Sequence, residues 1–85
     1  MVKENVRNFY LGVLSQLLEK SEEELAECKD SRMIEDLGMT SMQLFPLIGA
    51  LVDEYDIDVD YADFLTNVHT VNEGIDYVFS RIAKD

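Results

Sequence analysis

One hydroxyl in this chain stands where chemistry could be done. Ser41 follows the glycine-punctuated run Glu35-Asp36-Leu37-Gly38-Met39-Thr40 and precedes an apolar-periodic segment that opens with Met42-Gln43-Leu44-Phe45. A Thr-Ser pair before such a segment is a helix start signal, with Thr40 the predicted N-cap and Ser41 in the first turn. There the free backbone N–H groups and the positive end of the helix dipole favour an attached anion. No base stands near Ser41 in the sequence to take its proton, so the residue reads as an attachment point and not as a nucleophile with its own machinery.

The other reactive residues offer less. Cys28 is the single cysteine, so neither an intrachain disulfide nor a cysteine metal cluster can form. A reactive thiol would need basic neighbours, and Lys29 alone is thin support; a half-buried small residue is the expectation. His69, the single histidine, could serve as a proton shuttle or pH switch. With no Ser or Cys partner near it in sequence, it reads as a structural or exposed loop residue. Asp56-x-Asp58-x-Asp60 resembles the opening of a calcium-binding EF-hand loop. Tyr61 stands at the sixth position, where glycine is needed, and Asn67 at the twelfth, where a bidentate glutamate is needed. These acids, with Asp53, Glu54 and Asp63, are read as a solvated face, and no metal is expected. A glycine-rich phosphate loop is absent, and the carboxylates lie in runs that give no means of tuning one against another. Self-contained catalysis is not expected.

The 85 residues suit one domain spanning 1–85, of a size that buries only about 60% of its unfolded surface. A hydrophobic fraction of 47% still allows a compact core. With 18 acidic against 7 basic residues, the net charge is −11, which makes nucleic acid and anionic membranes poor partners. Basic patches on other proteins are the complement, steered in electrostatically. The apolar run from Leu11 to Leu14 is too short and too amphipathic for a signal peptide, and nothing approaches the roughly 20 apolar residues of a membrane span. The expectation is a cytoplasmic monomer without membrane insertion.

The elements that must position Ser41 follow from periodicity. Val6, Phe9, Tyr10, Val13, Leu14, Leu17 and Leu18 form the inward stripe of a first amphipathic helix, with Gly12 marking a close approach by a neighbour. Ser21 and Glu24 make a capping box for a short turn that carries Leu25 inward. A polar loop runs from Glu27 to Arg32 and on to Met33 and Ile34, which tuck under the first helix; Glu35 and Asp36 are solvated or accept nearby N–H groups. A second helix from about Ser41 to Tyr55 buries Leu44, Phe45, Ile48, Leu51, Val52 and Tyr55. Pro46 removes a ladder hydrogen bond there, so a kinked or loosened first turn and a half is expected. A short third helix at Tyr61–Leu65 turns Tyr61, Phe64 and Leu65 inward. A last helix opens at Thr70, capped by Glu73, buries Val71, Ile75, Val78, Phe79 and Ile82, and places Arg81 and Lys84 near its C-terminal end. The fold class is all-α: four helices, one of them short, around one core.

Asp36-Leu37-Gly38-Met39-Thr40-Ser41-Met42 resembles the prosthetic-group motif of acyl carrier proteins, which usually reads Asp-Leu-Gly-x-Asp-Ser-Leu. The similarity covers nearly the whole chain. The first helix, the long loop, the acidic Asp-Glu-Tyr-Asp-Ile-Asp-Val exit and Thr70-Val71-Asn72-Glu73-Gly74-Ile75-Asp76-Tyr77-Val78 resemble the family in order and spacing. The resemblance implies a small four-helix bundle of the acyl-carrier type with a short third helix, and a non-catalytic carrier that is a substrate of partner enzymes. It implies that Ser41 receives 4′-phosphopantetheine from coenzyme A, through a separate magnesium-dependent phosphopantetheinyl transferase. The thiol of that arm would carry acyl groups as thioesters in fatty-acid, polyketide or related biosynthesis. Partners would be acyl-transferring and condensing enzymes with basic docking surfaces. By position, Ile34, Leu37, Phe45, Ile48, Leu51 and Val68 would line an acyl pocket between the second and third helices; ordinary core packing is their equal alternative.

The departures from the family pattern are informative. Thr40 replaces the usual Asp, which removes a carboxylate beside the serine. On the outward, partner-facing side of the second helix stand Gln43, Pro46 and Gly49, and acids return only at Asp53 and Glu54. A specialised carrier serving a dedicated pathway is the expectation. Two alternatives stay open: an unmodified carrier-like acidic interaction module, and a carrier of an aminoacyl cargo on the same arm.

Overall fold

A computed structural model describes residues 3–83. Helices α1 (Lys3–Leu18), α2 (Glu22–Glu27), α3 (Leu44–Tyr55), α4 (Tyr61–Asn67) and α5 (Val71–Ala83) follow in order, with one 3₁₀ turn at Ser41–Gln43 leading into α3. The fold is all-α. The bundle helices are α1, α3, α4 and α5, with α4 the short third of them, and α2 adds a six-residue helix inside the long connection. Met1, Val2, Lys84 and Asp85 lie outside the described residues.

The core is built from the stripes that periodicity marks. Val6, Tyr10, Leu11 and Leu14 of α1 meet Leu25 of α2, Leu44, Leu47, Ile48 and Leu51 of α3, Phe64 of α4, and Val71, Ile75 and Val78 of α5. Met33 and Met39 of the long loop are buried with them, at 1% and 2% exposure. The loop is fastened at several points. Val71 N–H donates to Ser31 O at 3.2 Å, Asn72 N–H to Lys29 O at 2.8 Å, Met33 N–H to His69 O at 2.9 Å, and Met39 N–H to Met33 O at 3.0 Å. The loop is therefore clamped to the start of α5 and delivers Ser41 from a fixed platform. Gly38, at φ 80°, supplies the left-handed turn that lets the chain bend into Met39.

Several expectations are corrected. Phe45 does not join the buried stripe of α3: it is 59% exposed, and Leu47 takes the inward place with 0% exposure. On α3, Phe45 lies about 100° around the helix from Leu44, off the arc that Leu44, Leu47, Ile48 and Leu51 share. Ile34 does not tuck under α1 and is 40% exposed, whereas Met33 is buried as expected. Pro46 removes no ladder bond from the helix interior. It is the third residue of α3, where the N–H would lack a partner anyway, and the loosening before it is the single 3₁₀ turn. The close approach is at Gly74, not Gly12. A side chain at Gly74 would overlap the Tyr10 hydroxyl, whereas one at Gly12 would meet nothing nearer than a glutamate oxygen at 3.9 Å.

The acidic exit of α3 is more than a solvated face. Asp56 ends the helix in the left-handed conformation at φ 52°, and Asp60 caps α4 by accepting the Asp63 N–H at 3.0 Å. Asp63 accepts from the Tyr77 hydroxyl at 2.7 Å and from Arg81 at 3.0 Å, which ties α4 to α5. Arg81 serves that link, and also lies 4.6 Å over the Tyr77 ring. Burial and the Asp63 carboxylate push the Tyr77 phenol up from its ordinary pKa, partly offset by Arg81.

Candidate functional site

Ser41 is exposed at the start of the 3₁₀ turn. Thr40 is the N-cap, with extended backbone at φ −92° and ψ 158°. Its hydroxyl accepts the Gln43 N–H at 3.3 Å, and Gln43 Oε1 accepts the Thr40 N–H at 2.9 Å, a reciprocal capping box. The expected cap is in place, and its second member is Gln43. That residue was expected to face partners, yet its side chain is turned inward and half-buried, and Nε2 donates to the Leu17 carbonyl near the end of α1 at 3.1 Å. One neutral amide thus closes the cap and ties the serine's turn to α1.

With Thr40 and Gln43 N–H groups occupied, the N–H groups of Ser41 and Met42 find no acceptor among the described residues. The Ser41 hydroxyl likewise makes no hydrogen bond among them, while its carbonyl accepts from the Tyr61 hydroxyl at 2.8 Å. The Tyr61 ring stacks on Phe45 at 4.3 Å between centroids and 9° between planes. Tyr61 is therefore half-buried against Phe45 and not drawn into the core. Nothing in the residue pattern signals this pair, because the two rings come from different helices 16 positions apart in sequence.

The surroundings are apolar. The large hydrophobic residues that stand exposed among the described residues are Ile34, Met42 and Phe45, at 40%, 75% and 59%, and they lie in or near the Ser41 turn. Pro46 and Gly49 are exposed on α3, and the acids Asp53 and Glu54 appear only in its last turn. On the loop side, the acids are engaged locally. Asp36 accepts the Arg32 N–H at 2.8 Å, and Glu35 pairs with Arg32 at 3.0 Å.

A cavity of about 180 Å³ opens beside this region, lined by Arg32, Met33, Ile34, Glu35, Leu44, Leu65, Val68 and His69. Of the six candidate pocket residues, Ile34 and Val68 line it. Leu51 and Ile48 are core residues at 0% and 9% exposure, Leu37 is half-buried in the loop, and Phe45 stands outside. Met33, Leu44 and Leu65, read from the sequence only as inward-facing core residues, also line it. His69 is exposed, and its backbone serves the fold: its N–H donates to Glu73 at 3.0 Å and its carbonyl holds Met33.

The all-α bundle thus presents an exposed serine on a clamped helix start. The family model described as the phosphopantetheine attachment site matches residues 11–78, and the chain belongs to that family. Its members hold 4′-phosphopantetheine covalently on a serine, as carriers and not catalysts, and work with phosphopantetheinyl transferases and biosynthetic enzymes. No curated protein matches the chain. The residues present fit the group: a solvent-facing hydroxyl beside two N–H groups without acceptors suits a phosphodiester. No described helix is long and apolar enough to cross a membrane.

Proposed function

We propose that Ser41 is the attachment residue and that this chain carries acyl groups for a dedicated biosynthetic pathway. The observation that supports the assignment is the geometry of the Thr40–Gln43 cap, which holds the Ser41 hydroxyl exposed at a positive helix end without adding a carboxylate. When bound, the phosphopantetheine thiol supplies the thioester chemistry. The protein's own residues orient and shelter. Ser41 and Met42 N–H groups favour the phosphodiester, and the cavity between the Arg32–Glu35 loop, Leu44, Leu65 and Val68 receives the start of an acyl chain. At about 180 Å³ it is comparable to an engineered apolar cavity of about 150 Å³ that binds benzene, so roughly six carbons fit.

The specialised character is supported by the face beside Ser41. Met42, Phe45 and Pro46 present an apolar surface where acids would be needed to hold a basic groove, and Gln43 is committed inward. A partner enzyme with an apolar docking surface near its active-site mouth complements this face, with Asp53 and Glu54 meeting basic residues further along α3. Incubation with coenzyme A, magnesium and a broad-specificity transferase, followed by intact mass, tests the attachment. The expected result is a gain of one phosphopantetheine in the native chain and none in Ser41→Ala. No gain with several transferases would leave a carrier-like interaction module instead. Efficient use of the loaded protein by a general fatty-acid ketosynthase would remove the case for a dedicated pathway.

A further inference from the structure

A second cavity, of about 170 Å³, lies between α1, the end of α2 and the start of α5, and it shares no residue with the one beside Ser41. Its lining is Arg7, Leu11, Ala26, Lys29, Val71 and Ile75. Leu11, Val71 and Ile75 are core residues at 5%, 0% and 1% exposure, so they form an apolar floor, while Arg7 and Lys29 are exposed at the rim.

The two rim residues are unusual for this chain. The described ion pairs engage Lys3 with Asp76, Lys20 with Glu24, Arg32 with Glu35, and Arg81 with Asp63. Among the described residues, Arg7 and Lys29 are the cations left outside those pairs, and both stand at one cavity. No acid lines it. Glu4, Glu27 and Asp30 flank the two cations in sequence, but none of them lines the cavity, so within its lining the charge is positive over an apolar floor. Acids farther off act weakly on it at physiological ionic strength, where charges more than about 8 Å away are largely screened. The wall is also fixed, since Asn72 N–H donates to the Lys29 carbonyl at 2.8 Å and holds the Lys29 backbone against α5.

We infer that this cavity binds a small anionic amphiphile of about six carbons in all: a carboxylate head held by Arg7 and Lys29, with its unbranched tail lying on Leu11, Val71 and Ile75. Arg7 offers a planar fork for the carboxylate and Lys29 a point charge, so neither the head nor the tail alone satisfies the site. Binding is non-covalent and needs no modification of Ser41.

The test is an amide-resolved NMR titration of the unmodified chain, and of its Ser41→Ala variant, with hexanoate, 1-hexanol and acetate. Hexanoate is expected to shift the amides of Leu11, Val71 and Ile75 saturably and alike in both proteins. Hexanol and acetate are expected to bind about tenfold more weakly, and Arg7→Gln with Lys29→Gln is expected to reduce hexanoate affinity by about tenfold. Both substituted residues are exposed, and an unchanged thermal midpoint will verify that the fold persists. The proposal is overturned if hexanoate produces no saturable shift, if its shifts fall on Leu44, Leu65 and Val68 instead, or if hexanol and the double variant bind as well as the native pair.

Discussion

Two helices of this protein begin with the same sequence device and put it to different uses. Thr40-x-x-Gln43 opens the turn before α3, and Thr70-x-x-Glu73 opens α5. Both are reciprocal boxes: the Thr70 hydroxyl accepts the Glu73 N–H at 3.1 Å, and Glu73 Oε1 accepts the Thr70 N–H at 3.0 Å. At α5 the second member is a carboxylate, which also accepts the His69 N–H at 3.0 Å and compensates the helix dipole with a full negative charge. Behind it Val71 is buried at 0% exposure and Gly74 lies against Tyr10. At α3 the second member is a neutral amide, and the residues behind it, Ser41 and Met42, are exposed. One helix start is closed for packing. The other is capped without being neutralised, which leaves its positive end available to a phosphate.

The largest structural effect is expected where the closed start is tightest. Gly74→Ala drives a methyl into the Tyr10 hydroxyl and is expected to destabilise the fold by about 1–3 kcal/mol in chemical denaturation. Gln43→Ala removes the Thr40 and Leu17 hydrogen bonds together, with an expected cost of about 1–2 kcal/mol. If the open start matters for modification, that variant also slows phosphopantetheine transfer to Ser41; an unchanged rate would reduce Gln43 to a purely structural role. Gly49→Ala, on the exposed side of α3 with open space around it, is expected to stabilise by about 0.5–1 kcal/mol, opposite in sign to Gly74→Ala.

The smallest effect is a pH signature. Hydrogen bonds from the Thr70 and His69 N–H groups hold the Glu73 carboxyl below its ordinary pKa. A carboxylate depressed on folding contributes stability that is fully present above its unfolded pKa and is lost as pH falls through the folded value. Glu73→Gln is therefore expected to flatten the acid limb of the stability profile, measured by thermal midpoint between mildly acidic and neutral pH. The Thr40–Gln43 box contributes no such slope, because an amide does not titrate in that range.

Periodicity alone placed α1, and periodicity with a Thr cap at the right offset placed α3 and α5. The Ser41 turn was legible for the same reason: Gly38, Thr40 and the apolar run after Ser41 each point to one helix start. What failed was rotation. Within the regular helix Leu47 shares the arc of Leu44, Ile48 and Leu51, whereas Phe45 lies about 100° from Leu44, so hydrophobicity and not spacing placed Phe45 inward. Gln43 was misplaced because its role depends on Leu17, 26 residues away, and no local pattern records such a partner. Of the cavity, only Ile34 and Val68 followed from position; Met33 depends on how the long loop docks on α5, a contact 36 residues away in sequence through His69.

The hydrogen bond from Tyr61 to the Ser41 carbonyl has an optical consequence. The chain has no tryptophan and four tyrosines, so tyrosine emission is its natural fluorescence. Tyr61 is the phenol that ends on the backbone of the proposed attachment residue, at 2.8 Å, with its ring against Phe45. Subtracting the spectrum of Tyr61→Phe from that of the native chain isolates a dye-free reporter at the proposed point of attachment. Loading, unloading and docking can then be followed in real time without a label.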